Sequence, residues 1–197
     1  MKKIIEIIAF STLIVLFFTA CNNGSNATTT SKMANETAKP QAEMPNTSLN
    51  TQLTVSMAEI VKGYLSLKNA LTADKTKDAA TAATALEATF KSFNKTALTV
   101  EQKKTFEDVE DDAREHAEHI GSNGGNIAHQ REHFDTLSKD IYALVKAFGA
   151  GQTLYQDFCP MYNDKKGAIW LSETKEINNP YYGKKMSTCG SMKEELK

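Results

Sequence analysis

Two cysteines near the C-terminus, Cys159 and Cys189, each have a methionine close by: Met161 follows the first by two residues and Met186 precedes the second by three. Thiolate with thioether is a soft ligand set. It suits monovalent copper or silver and suits magnesium, calcium or manganese badly. The four histidines, His116, His119, His129 and His133, all lie earlier in the chain. An imidazole could complete the soft set, with His133 and His119 as the candidates. Cys159, Cys189 and two histidines would equally make a closed tetrahedral zinc site. His129 and His133 are four residues apart, so on a helix they share a face and can clamp one ion.

The same cysteines carry a second reading. In an oxidising compartment, a cysteine pair in a small exported domain commonly forms a disulfide. A bridge across this loop of roughly 30 residues would stabilise by about 3–4 kcal/mol in the chain-entropy model. The methionines would then be adaptable filler. Tyr155, Phe158, Trp170, Tyr181 and Tyr182 would pack the segment or offer a partner surface. The residue chemistry alone leaves the two readings open.

The N-terminus speaks to the compartment. Lys2 and Lys3 precede an apolar run from Ile7 to Phe18, and Thr19-Ala20 precede Cys21. Basic start, apolar core and small residues at a cleavage site read as a secretory signal peptide over residues 1–20. The run is broken by Ser11 and Thr12, and it falls short of the roughly 20 residues a spanning helix needs. Cysteine directly after the small residues resembles the lipobox of bacterial lipoproteins. That resemblance implies cleavage before Cys21, a lipid on its thiol, and a cell-envelope location. Asn22 in place of an aspartate leans towards the outer membrane. Residues 21–50 are rich in Asn, Ser, Thr, Ala, Lys and Pro, a composition expected to form a flexible tether.

Any such site must be held by the remainder of the chain. Four segments carry a helical period. Met57, Ile60, Val61, Tyr64, Leu67 and Leu71 form one stripe, and Ala79, Ala82, Ala83, Leu86, Phe90 and Phe93 a second. Phe106, Val109, Ala113, Ala117 and Ile120 form a third, after a capping box that starts at Thr99. Ile127, Phe134, Leu137, Ile141, Leu144, Val145 and Phe148 form the fourth. Short connections predict a mainly α fold, an up-and-down four-helix bundle over 51–150. The wheel places His116 and His133 beside the apolar stripes, with His119 and His129 further towards solvent. After Gly151 the density of Gly, Pro and Asn predicts an irregular loop and hairpin cap over 151–197, packed on the bundle as part of one globular domain.

Several function classes are disfavoured. The net charge is −1, and no Lys/Arg cluster is interleaved with aromatics, which argues against nucleic-acid binding. There is no nucleophile elbow, no phosphate-cradling glycine loop after a strand, and no zincin pair, so the chain does not read as an enzyme.

Cys159-Pro160-Met161, Gly167-Ala168-Ile169-Trp170-Leu171-Ser172, Asn179-Pro180-Tyr181-Tyr182-Gly183 and Met186 with Cys189-Gly190 form a distinctive series. With Gln130-Arg131-Glu132-His133-Phe134 and Leu137-Ser138, it resembles an uncharacterised envelope domain family. That family occurs alone on lipoproteins and fused to the end of CusB-type periplasmic adaptors of copper and silver efflux pumps. The resemblance spans roughly residues 57–192. It implies a site built from His133, Cys159, Met161, Met186 and Cys189, with His119 as a further candidate. It implies copper(I) as the ion, with silver(I) as an alternative, and a periplasmic efflux adaptor as a candidate partner; zinc remains an alternative from the residue chemistry.

Overall fold

The computed structural model describes residues 47–197, with side chains from residue 51 onward. The expected signal peptide, Cys21 and the tether as far as residue 46 lie outside the described residues. Four helices come first: α1 (Thr47–Thr72), α2 (Thr76–Lys91), α3 (Val100–Ser122) and α4 (Ile127–Phe148). Three strands come after them, β1 (Leu154–Cys159), β2 (Ala168–Ser172) and β3 (Ser191–Leu196). Thr47 places the start of α1 inside the stretch read as tether. Among the described residues no helix is long and apolar enough to cross a membrane.

The helices pack as the periodicity predicts, each against its neighbour in sequence, with α4 closing back on α1. Met57, Ile60, Val61, Tyr64, Leu67 and Leu71 of α1 are all buried, as are Leu86 and Phe90 of α2. Ala79 and Ala83 lie buried in the α2 face, where their small side chains let neighbouring helices approach closely. Thr99 opens α3 with both halves of a capping box: its hydroxyl accepts from Gln102 N at 3.2 Å, and Gln102 Oε1 accepts from Thr99 N at 3.0 Å. Asn126 caps α4 by accepting from His129 N at 3.2 Å. Only residues 123–126 separate α3 from α4, so the end of one helix and the start of the next lie side by side.

The cap is more regular than the expected loop and hairpin. It is a three-stranded antiparallel sheet in the order β2-β1-β3. The β1–β2 hairpin arises from the apolar runs that the sequence marks. Strand β3 does not, because Ser-Met-Lys-Glu-Glu-Leu has a single buried side chain, Leu196. It is an edge strand whose charges shield it from further pairing. Glu194 ties it to α4, accepting from Tyr142 Oη at 2.7 Å and Lys146 Nζ at 2.6 Å.

Further polar joints seat the cap on the bundle, among them Lys68 Nζ and Asn69 Nδ2 of α1, which each donate to Glu173 at 2.8 Å. The buried Tyr64 hydroxyl of α1 pairs with Ser138 Oγ of α4 at 2.9 Å and accepts from Leu171 N of β2 at 3.0 Å. Arg131 of α4 donates to Pro180 O (2.7 Å), Leu71 O (3.0 Å) and Asp74 Oδ1 (2.7 Å). Asp74 Oδ2 in turn accepts from Lys184 N at 3.1 Å. Gly183 completes this joint with φ +53, since a Cβ there would run into both Asp74 and Arg131.

Candidate metal centre

The cap brings Cys159 and Cys189 together although thirty residues separate them, with Sγ atoms 3.1 Å apart. Cys159 ends β1 and is fully buried, whereas Cys189 lies in the loop before β3 and is half-buried. Asn179 organises that loop from a buried position. Its Nδ2 donates to Cys189 O at 2.6 Å, and its Oδ1 accepts from Tyr181 N (2.8 Å) and Tyr182 N (3.1 Å). Gly190 then passes so close to the indole that a Cβ would sit 2.8 Å from Trp170. The hydrogen bond with Cys159, then burial, push the Cys189 thiol above its ordinary value.

The methionines lie at the rim of the cap, and both are exposed. Met186 O accepts from Cys189 N at 3.1 Å, and Met161 O accepts from Tyr182 Oη at 2.9 Å. Burial and then the two thiols raise the Tyr182 hydroxyl. Met161 and Tyr182 also line a groove of about 730 Å³, together with Glu132, Asp135, Tyr162 and Asp164. Asn163, Asp164 and Lys165 form one left-handed turn at its edge, with φ of 51, 53 and 66. Three consecutive non-glycine residues in that region cost roughly 1–2 kcal/mol each. Such strain persists where the surroundings over-determine the backbone, often at functional sites.

The imidazoles gather elsewhere. His116 and His119 from α3 meet His129 and His133 from α4 where the two helices run side by side. His133 is central. Its Nδ1 lies 2.9 Å from His116 Nδ1, its ring stacks on His119 at 4.4 Å between centroids, and it meets His129 edge-on at 4.5 Å. His119, His129 and His133 offer ligand atoms within 4.8 Å of one another, so these three can hold a metal ion. Burial lowers the basicity of both His116 and His133. For His133, the three neighbouring imidazoles add to burial and bring the pKa to about 4. The central ring is therefore neutral at pH 7, with a lone pair free for a ligand.

The six residues joined by the sequence into one site thus fall into two places. Cys159 and Cys189 meet in the cap, with Met161 and Met186 at its rim, while His119 and His133 belong to the imidazole cluster. Among the described residues, no group of three or more His, Cys, Asp or Glu with converging ligand atoms contains a thiol. The reason is helical phase. Arg131 and Asp135 of α4 face the cap, and each is two residues from His133, about 200° of rotation. A ring on His133 therefore points towards α3. The half-buried His116 and His133 and the more exposed His119 match the wheel, whereas His129, expected towards solvent, is half-buried against His133. Sequence reasoning misses the fourfold meeting, although the short turn at 123–126 carries its signal.

No curated protein and no solved structure matches the chain. Residues 60–153 match the model of a family described as a protein of unknown function (DUF3347). The matched stretch covers the bundle from within α1 to the end of α4 and stops before β1, so it includes all four histidines and neither cap cysteine. The chain is similar to that family through its helical, histidine-bearing part.

Proposed function

We propose that this protein is a lipid-anchored envelope protein that binds a soft metal ion, copper(I) first, and buffers it or hands it to an efflux adaptor. The observation that carries the reading is the meeting of Cys159 and Cys189 at 3.1 Å, with two thioethers in the same cap. Sulfur donors select monovalent copper or silver over hard cations. Glu132, Asp135 and Asp164 around the groove beside Met161, offset in part by Lys165 and Lys139, leave a net acidic rim that would draw a cation towards it. Thioethers suit an oxidising compartment because, unlike thiols, they form no disulfides. Membrane attachment through Cys21 would hold the cap where exported metal passes.

The test is a competition titration of reduced, metal-free protein against a chromogenic copper(I) chelator. One copper(I) per chain is expected, with affinity lost in C159S/C189S and weakened in M161L/M186L. Absence of uptake by the unaltered protein ends the reading. The same 3.1 Å approach also favours a disulfide that closes the cap. Intact mass before and after alkylation separates the two: thiols that alkylate only after reduction support the bridge. Thiols that alkylate freely, and are shielded by added copper(I), support metal capture.

A further inference from the structure

A metal-binding histidine uses one ring nitrogen for the ion, while the other is held by a hydrogen-bond acceptor that fixes the tautomer and the ring's direction. Each of the three converging imidazoles has an acceptor nearby, within hydrogen-bond reach for His133 and as a looser carboxylate contact for the other two. His119 Nε2 lies 3.7 Å from Glu115 Oε1, and His129 Nδ1 lies 3.5 Å from Glu132 Oε2. His133 Nδ1 lies 2.9 Å from His116 Nδ1. Both carboxylates sit on the same helix as their histidine, four and three residues away, so they travel with it. One ring nitrogen of each of the three lies within 4.8 Å of the others, so the nitrogen of each ring that is turned from its neighbour is left for an ion.

We propose that His119, His129 and His133 form a second metal centre, separate from the thiols, that takes a borderline divalent ion such as zinc(II) or copper(II), with His116 as the residue positioning His133. All three donors are imidazole nitrogens, which suit zinc and copper and suit calcium or magnesium poorly. Three protein ligands leave a fourth tetrahedral position for water, the pattern of a site that exchanges what it holds. The centre lies on the solvent side of the α3–α4 seam, where the His119 side chain is 46% exposed. Loading requires one rearrangement. Nitrogen lone pairs lie in the ring plane, and His119 is stacked on His133 with only 6° between planes. Two parallel, offset rings cannot aim at one ion, so His119 turns out of the stack as the metal enters. Its exposure gives it room to do so.

This centre does not rest on the copper(I) reading, since it uses neither cysteine nor methionine. The experiment titrates zinc(II) into the full, metal-free chain against a chromogenic chelator, with cobalt(II) as a spectroscopic stand-in. The unaltered protein and C159S/C189S should each take up one ion with equal affinity. The cobalt form should show four-coordinate visible absorption without a thiolate charge-transfer band. H119A/H129A should lose uptake. These two side chains are partly exposed, and an unchanged melting temperature of the metal-free variant separates ligand loss from unfolding. H129Q alone provides a milder second variant with the same expected direction. H116A should weaken binding by roughly 10–100-fold at unchanged stoichiometry, and H116Q, which restores an acceptor, should recover part of it. Uptake that vanishes in C159S/C189S, or survives undiminished in H119A/H129A, overturns the proposal, as does no uptake by the unaltered chain. Undiminished affinity in H116A removes His116 from its role.

Discussion

His116 and His133 face each other across the α3–α4 seam with their Nδ1 atoms 2.9 Å apart, so at most one of the pair can carry the proton between them. A second proton there would set two N–H groups against each other and charge one of the rings, which burial opposes for both.

The consequence for the metal-free protein is a histidine that stays neutral well below its usual range. An NMR titration of the ring protons should place His133 near 4. The unfolded chain binds that proton near 6.5. Between those values the unfolded state holds more protons, so stability is lost as the pH falls from about 6.5 to 4. The urea midpoint of H133N should vary less over this interval; an equal dependence would show that other groups govern it.

Asp140 works in the opposite direction. Burial raises its carboxyl, Asp112 adds to this and Lys139 opposes it, for a pKa of about 7. Here the folded state holds the extra proton, so stability falls as the pH rises from about 4 to 7. A three-unit shift would be about 4 kcal/mol for a fully buried group, and partial exposure reduces this to on the order of 1–2 kcal/mol. D140N should therefore be more stable than the unaltered protein at pH 8 and no more stable at pH 4. Urea melts at the two pH values check this.

Tyr64 is fully buried, and its hydroxyl serves two partners on two other elements. Y64F keeps the ring, stacked on Phe134 at 5.3 Å, but strands Leu171 N, while Ser138 keeps the Tyr181 hydroxyl as a partner. An orphaned buried group costs about 1–3 kcal/mol, so the loss should lie in that range. A change below about 0.5 kcal/mol would mean that water replaces the hydroxyl.

Arg131 binds the α1–α2 turn and the cap loop at once from its place on α4. Asp74 is raised by burial, but its bonds to Arg131 and Lys184 outweigh this and hold it below the ordinary carboxylate range. R131M keeps much of the packing and deletes the joint. Amide exchange in residues 178–190 should quicken markedly, while α2 and α3 exchange as before. Global stability should drop by about 2–3 kcal/mol, the scale of charged hydrogen bonds. Unchanged exchange in the cap loop would show that the aromatic packing of Tyr181 suffices to seat it.

The information legible in residue order is local. A stripe such as Met57, Ile60, Val61, Tyr64 specifies a helix and its buried face, because the 3.6-residue period is a property of the backbone. The Thr99 box and the turn at 123–126 are likewise short-range, and with them the bundle is determined. The chemistry of Cys159, Met161, Met186 and Cys189 is also legible as residue types. Which donors meet is not. His133 reads equally well as a partner for the thiols until α4 is rotated so that Arg131 and Asp135 face the cap. That phase is set by packing against α1 and β2, tens of residues away. Strand β3 is hidden for a related reason: its polar edge carries no period, and only pairing with β1 makes Ser191–Leu196 a strand. Tertiary structure thus divides one expected site into a thiol pair in the cap and an imidazole cluster on the bundle, because ligand geometry depends on side-chain direction and sequence spacing alone does not fix it.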